Sequence, residues 1–362
     1  MAKSSNNRNV ISRLRRNKAA LFGIIVIILA VLIAVFGYWI APDRSPYANR
    51  MTIEIGGLKP GTTIQFLKIP LQKDYEEVSA LHQLLFGKPD AFQFIPIKGF
   101  QEVGDSVRVQ SYIDEETSME TTYALSGLAG KSLASAIEKK KFWLGTDKYG
   151  RDILSRLIIG VRVSLSVGLI TVIISLSIGV LLGAIAGYYR GRTDAIITWF
   201  INVIWSIPTL LLVFSITLLL GKGFWQIFIA IGLTMWVNVA RIVRGQILGV
   251  RELEYVEAGK ALGYTSLRIL FRHVLPNVMG PVLVVAASNF ASAIVIEAGL
   301  SFLGIGVQPP QPSWGLMIKE NYNFIITHNP MLALAPGFAI MILVLAFNLL
   351  GNGLRDALAK RE

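Results

Sequence analysis

Apolar residues in this chain come in long unbroken runs, not at the spacing of half-buried helices or strands. Uncharged stretches cover Ala19–Ile40, Val163–Tyr189, Ala195–Gly221, Gly223–Ala240, Val274–Ile296 and Met331–Leu354, of 22, 27, 27, 18, 23 and 24 residues. About 20 apolar residues suffice to cross a bilayer. The pattern therefore predicts six transmembrane helices in an all-α polytopic membrane protein. Phe224, Trp225 and Trp236 near the ends of the shortest run suit a membrane interface. The first run closes on "GYWIAPD", with a bulky Trp39, and reads as a retained anchor instead of a cleaved signal peptide.

The polar stretches divide the chain. Residues 1–40 are a basic tail and the first span. Residues 41–150 carry frequent Pro and Gly and short runs such as "TTIQFLKIPL" and "DSVRVQSYID". In the latter, Val107, Val109, Ser111 and Ile113 alternate with polar partners, the period of a half-buried strand. This segment is predicted to be a small, largely β insertion between spans one and two, followed by a charged helical approach, "AIEKKKFW". Residues 151–355 form a five-span unit with a polar loop at 241–277, and 356–362 are a tail. In "GRDILSRLIIGVR", Ile153, Leu154, Leu157, Ile158 and Val161 have helical spacing. That fits a helix lying in the interface with arginine stems reaching headgroups, or equally a plain extension of span two.

Charge fixes the orientation. The chain has 362 residues, 53% hydrophobic and 16% charged, with mean hydropathy +0.55, net charge +12 and a pI near 9.8. If the tail (Lys3, Arg8, Arg13, Arg15, Arg16, Lys18) is cytoplasmic, 17 of the 35 Lys and Arg fall on inner segments. The two short outer loops then carry only Lys222 and Lys319, and the other 16 lie in the long stretch 41–162 beside 15 acids. This is the positive-inside arrangement with both termini cytoplasmic. The basic balance reports topology, not nucleic-acid binding. With no cysteine, there is neither a disulfide framework nor a thiolate metal site.

Catalytic patterns fail on inspection. "LSGLAGKS" at 125–132 has Leu125 where a phosphate loop needs glycine to let backbone amides wrap phosphate. "GLSFLG" at 299–304 has Leu303 where a nucleophile elbow needs glycine. His82, His273 and His328 stand in separate segments and make no metal pair. An embedded hydrolase lacks its constellation. A self-powered carrier lacks intramembrane acids, Glu297 at the end of span five being the main candidate. That acid suits either the solute path or a structural pair with an outer-face arginine.

The polar stretch "EYVEAGKALGYTSLRILFRHVLPN" (254–277) is a different matter. Burying its arginines at span depth would cost about 2.5–3.5 kcal/mol each, so it lies outside the bilayer. Tyr255, Ala258, Gly259 and Leu262 share one helix face, made shallow by Ala258, Gly259 and Gly263. Gly259 costs about 1 kcal/mol of helix propensity against Ala. Such a face fits a partner's groove or the protein's own inner loops.

Here a resemblance enters. Glu257–Gly263 reads E-A-G-x-x-x-G, followed by "RHVLPN" with Pro276 thirteen residues after Gly263. This resembles the EAA loop of ATP-binding-cassette importer permeases. "LGTDKYGRDILSRLIIGVRVSL" (144–165), "SIPTLLL" (206–212), "EAGLSFLGIG" (297–306) and "PSWGLMI" (312–318) resemble the C-type permease subunit of the dipeptide/oligopeptide/nickel transporter family. The likeness covers about 1–40 and 143–362; residues 41–142 match nothing in it.

The resemblance implies a type I importer permease fold in a bacterial inner membrane, and transport without catalysis. It also implies a homologous permease, two ATPase subunits and an extracytoplasmic solute-binding protein as partners. No cofactor or metal is implied on this chain, ATP and Mg being used by the ATPases. The 254–265 helix, with Tyr255, Glu257, Ala258, Gly259, Leu262 and Gly263, is implied to dock into an ATPase, with Pro276 behind it. Gly145, Asp147, Gly150, Arg151, Asp152, Arg156 and Arg162 form the outer-face motif, and Asn202, Pro208 and Glu297 are pathway or gate candidates. Gly259 replaces the usual Ala, and Asn202 stands where relatives often have Asp. The residues leave the solute open among peptides, a nickel chelate and other small molecules.

Overall fold

The computed structural model describes residues 12–71, 78–114, 116–129, 133–221, 223–324 and 329–359. Residues 130–132, the end of the stretch rejected above as a phosphate loop, lie outside the described residues, as do Lys222 and His328. Two compact units share the chain. One comprises Met1–Val31, Ser164–Gln308 and Ile340–Glu362, the other Leu32–Val163 and Pro309–Ala339.

Among the described residues, five helices are long and apolar enough to cross a membrane: α1 (Lys18–Ile40), α3 (Ile153–Tyr189), α6 (Phe224–Val250), Ser266–Leu303 and α10 (Met331–Leu358). The fourth of these contains a π-helical turn at Leu270–Val274, after which α8 runs Leu275–Leu303. The expected third span is not one helix. It is a pair, α4 (Gly191–Trp205) and α5 (Thr209–Leu220), bent by 91°. Hydropathy along 195–221 is continuous, but Pro208 has no N–H to donate and disfavours helix before it, so the apolar run breaks there. Among the described residues the count of candidate spans is five, or six if the bent pair makes one.

In the first unit, α3 packs on α6 through three glycines four residues apart. A Cβ on Gly179 would lie 2.6 Å from the Trp236 carbonyl oxygen, one on Gly187 2.9 Å from that of Arg244, and one on Gly183 against the Ala240 carbonyl. Small residues at this spacing let membrane helices approach backbone to backbone, where dispersion and not hydrophobic burial holds them together. Phe290 and Phe347 stack at 3.9 Å between α8 and α10.

The second unit contains a five-stranded antiparallel sheet in the order β4-β3-β2-β1-β5. Its strands are β1 (Thr62–Pro70), β2 (Phe92–Val103), β3 (Ser106–Tyr112), β4 (Ser118–Ala124) and β5 (Ile137–Phe142). Both faces are covered. Leu67, Ile97, Val107 and Val109 are buried in one cluster, and Ile55, Leu58, Ile64, Phe66 and Phe142 in another. The alternation in β3 holds for Val107 and Val109, whereas Ile113 lies past the strand and is exposed. "IEKKKF" is strand β5, not the helical approach its lysines suggested. It pairs with β1, Gln65 opposite Lys139 and Phe66 opposite Glu138, and this tertiary pairing overrides local propensity. Between β1 and β2 lies a short helix, α2 (Ala80–Phe86), and Glu320 belongs to another, α9 (Trp314–Asn321).

Helix α3 begins at Ile153 and continues unbroken to Tyr189. The stretch before Val163 is therefore the extension of span two, and no separate interfacial helix exists there.

Candidate functional site

A cavity of about 480 Å³ opens among the membrane helices of the first unit. Trp205, Ile207, Thr209 and Leu212 from the α4–α5 bend form one wall; α6, α8 and α10 supply the others. Its polar lining is neutral: Thr209, Thr234, Asn238, Ser292 and Asn348. Thr234 already donates to the Ile231 carbonyl at 2.8 Å. The lining has no ionisable side chain and no nucleophile–base pair. What it can do chemically is hold a solute by hydrogen bonds between apolar walls, in the size range of about 300–1,000 Å³ usual for small-molecule sites.

The pathway candidates fall differently about this cavity. Pro208 creates the bend that opens it. Asn202, in α4, accepts a hydrogen bond from Arg241 Nη2 at 3.1 Å, and that guanidinium lies 3.2 Å from the centre of the Trp205 ring. Glu297 is 1% exposed and is absent from the lining, although its neighbour Ile296 belongs to it. Ser301 Oγ donates to Glu297 Oε1 at 2.6 Å and accepts from the Val307 amide at 3.0 Å. Gly304, at φ +85°, ends α8 in the left-handed conformation. Through Ser301, Glu297 is tied to the turn that ends α8.

The outer-face motif residues are brought together, but as scaffold. Gly145 and Gly150 take φ of +81° and +73°, a region costly for other L-residues. Asp147 accepts from the amides of Tyr149 and Arg151 at 2.9 and 3.0 Å and from Arg151 Nε at 2.6 Å. Arg151 Nη2 reaches Glu320 at 2.7 Å, and Arg156 Nη2 lies 3.8 Å from the same carboxylate. Arg151 and Arg156 are 1% and 0% exposed. The reading in which their stems extend to headgroups is overturned for these two, because both are buried beside a carboxylate 169 residues ahead of Arg151, with Asp147 a second partner of Arg151. Arg162 donates to main-chain carbonyls: Ala34 at 2.5 Å, Val35 at 2.9 Å, Leu84 at 2.6 Å and Leu85 at 2.7 Å. Asp152 accepts from the Ser155 amide at 3.0 Å and caps α3. Burial pushes its carboxyl up, opposed by the Ser155 hydrogen bonds and the charge of Lys140.

The polar loop is shorter than its uncharged borders suggested. Helix α6 continues ten residues past Ala240 to Val250, carrying Arg241 and Arg244. Arg244 Nε and Nη2 grip Asp194 of α4 at 2.5 and 2.7 Å, a forked pair that stabilises the helix contact. Helix α7 covers Glu254–Ala261 only; Gly263, at φ +75°, turns the chain and Thr265 caps Ser266–Ile269. Val256, Ile269, Leu270 and Val274 are buried with Val239, Val243 and Ile247, which seats the loop on the membrane helices. Gly259 is turned away from the exposed face that the spacing suggested. It is buried, and a Cβ there would meet Ile269 and Tyr264 at 3.7 Å. Glu254, Tyr255, Glu257, Ala258, Lys260, Leu262 and Gly263 remain exposed, Leu262 at 71%. Tyr255 Oη accepts from Asn277 Nδ2 at 2.8 Å, directly after Pro276 at the start of α8.

Sequence reasoning missed Asn238, Ser292, Asn348 and Asp194. Asn238, Ser292 and Asn348 each sit singly within an apolar run, and only packing brings them to one cavity. Asp194 stands just before a run, and its partner Arg244 lies fifty residues on.

A family model described as "Binding-protein-dependent transport system inner membrane component" matches residues 179–362. A second, "N-terminal TM domain of oligopeptide transport permease C", matches residues 5–56. The oligopeptide transport system permease protein OppC of Bacillus subtilis (strain 168) is 42% identical over 219 residues, 60% of this chain and 72% of that protein. The glutathione transport system permease protein GsiD of Pectobacterium atrosepticum is 41% identical over 216 residues, 60% and 71% of the two chains. Among solved structures, a chain of the inward-facing MetNI methionine ABC transporter is similar at TM-score 0.49 and 18% identity, over 57% of this chain and 98% of that one.

Proposed function

Because the chain belongs to the family of binding-protein-dependent transport system inner membrane components, we propose that it is the C-type permease of an ATP-driven peptide importer. It is an inner-membrane transport subunit and not an enzyme; in this family ATP is hydrolysed by separate subunits. The relatives that carry oligopeptide and glutathione transport names support a peptide solute.

One observation carries the reading most directly. A neutral, hydrogen-bonding cavity beside a broken membrane helix belongs to the same unit as a loop whose charged side chains are exposed. Peptide groups are neutral and bond through N–H and C=O, so such walls hold them without regard to sequence. The cavity faces a homologous permease, a binding protein delivers the solute, and α7 with Leu262 and Gly263 docks in an ATPase. ATP binding shifts the paired permeases between two states through that contact.

Two experiments test this. The complete complex in proteoliposomes, supplied with its binding protein, should accumulate a labelled peptide only with ATP. The double substitution Asn238→Leu, Ser292→Leu should abolish uptake while the complex still assembles; unchanged uptake in that variant refutes the cavity as the path. For orientation, the positive-inside charge supports cytoplasmic termini and an extracytoplasmic insertion. Ser126→Cys, exposed after β4, should react with an impermeant maleimide from outside. Thr265→Cys should react only once the inner face is opened. The reverse pattern inverts the topology.

A further inference from the structure

Helix α2 is out of place as part of a water-facing insertion. Five of its seven residues are apolar (Ala80, Leu81, Leu84, Leu85, Phe86) and none is charged, yet none is buried. Leu81, Phe86 and Leu85 are 65%, 57% and 50% exposed. Leu81 and Leu85 are four residues apart and so share a face. The His82 ring rests 5.1 Å from that of Phe86. A contiguous exposed apolar patch of this kind marks a surface that something covers.

The hydrogen bonds of Arg162 give its depth. One guanidinium bonds the Leu84 and Leu85 carbonyls of α2 and the Ala34 and Val35 carbonyls of α1. The α1 residues precede its end at Ile40 by six and five positions. At 1.5 Å rise per residue, the C-terminal turn of α2 lies about 8–9 Å back along the apolar span. Interfacial helices settle about 5–10 Å into the boundary between headgroups and acyl chains. The chain then climbs back. Gly87, at φ +85°, turns it against Tyr38, and the Lys88 amide donates to the Arg44 carbonyl at 2.8 Å. Arg44 and Lys88, both exposed, therefore stand side by side just beyond the end of α1.

We propose that Ala80–Phe86 is a membrane wedge. It lies in the leaflet on the side of the insertion, with Leu81, Leu85 and Phe86 among acyl chains and Arg44 and Lys88 level with the phosphates. The occupant is lipid because Arg162 ties the end of α2 to carbonyls within the apolar span α1, whose Phe36, Trp39 and Ile40 are also exposed. The wedge and the guanidinium of Arg162 together fix the sheet-bearing insertion to the bilayer surface. This goes beyond transport and is independent of the solute.

The chain has no cysteine, so the full-length protein in nanodiscs of phosphatidylcholine and phosphatidylglycerol can carry one labelled site at a time. An environment-sensitive fluorophore on Leu85→Cys should be quenched several-fold more by lipids spin-labelled near the top of the acyl chain than one on Met119→Cys, exposed on β4. It should also be several-fold less accessible to aqueous iodide. Equal iodide access at the two sites overturns the proposal. So does protection at Leu85→Cys from both iodide and lipid quencher, which means that protein covers the helix. Both substitutions are at exposed positions, and the Met119→Cys emission reports whether the sheet stays folded.

Discussion

Gly145–Arg162 and Glu252–Asn277 both set acids, arginines and glycines into an otherwise apolar chain. In the first, the charges turn inward: Arg151 and Arg156 are buried around Glu320, and Asp147 is closed over by three N–H groups. In the second they turn outward. Glu254, Glu257, Lys260, Arg268 and Arg272 are exposed, while the residues holding the loop down are Val256, Ile269 and Val274. Buried charge is held beside opposite charge, which ties distant segments into a specific scaffold; leaving it in water keeps a surface available to a partner. Residue type alone does not tell these uses apart.

The largest effect expected from that contrast is on stability. Glu320→Ala leaves two buried guanidiniums without their shared carboxylate, and breaking a buried pair on one side costs about 3–5 kcal/mol. Thermal unfolding in a membrane mimic should show a marked drop. Glu257→Ala, at an exposed site, should stay within about ±0.5 kcal/mol of the parent. Equal behaviour of the two variants refutes the division into scaffold and surface.

Next comes an effect on coupling without one on folding. Leu262→Glu should leave unfolding unchanged but weaken ATPase association and substrate-stimulated ATP hydrolysis. At Gly263 the φ of +75° and the open space where a Cβ would sit make backbone geometry the requirement, not crowding within the chain. A non-glycine residue there costs about 1–2 kcal/mol, with Asn the best tolerated. Gly263→Asn should therefore keep coupling and Gly263→Leu lose it. Failure of both would mean that the partner's own approach needs the bare backbone.

The smallest effect is on pH dependence, and its sign differs between the two regions. Burial raises Asp152 above its ordinary value, so its contribution to stability is present at low pH and lost as pH rises through the folded-state value. Arg190, through a side-chain hydrogen bond, lowers Glu252, whose contribution is present above the ordinary 4.5 and lost as pH falls below it. Asp152→Asn should remove the first slope and Glu252→Gln the second in unfolding measured from pH 3 to 8. An unchanged profile in either variant would contradict the corresponding assignment.

Hydropathy made α1 and α10 legible to within a few residues, because length and lack of charge suffice for a membrane helix. It located α6 and α8 but stopped ten and seven residues before their ends, where polar residues continue the helix. It was blind to the α4–α5 bend, since a 91° break changes direction without changing polarity. It misplaced "IEKKKF" because lysines suit a helix as well as an edge strand, and the deciding partner, β1, lies some seventy residues earlier. Arg151 looked solvent-seeking because Glu320 is distant in sequence. The EAA-like loop was readable as a segment, but not which of its small residues face inward; Gly259 and Gly263 are alike on paper and opposite in space.

The glycines at 179, 183 and 187 also constrain how the molecule can move. Two helices in backbone contact cannot slide smoothly past each other. A shift of one to three residues drives a side chain such as Leu182 into a carbonyl that only a bare Cα can meet. The next permitted register lies four residues on, about 6 Å away. Within the first unit, α3 and α6 therefore behave as one beam with a notched track. Any rearrangement during a transport cycle must pivot about that beam or work at the Pro208 joint.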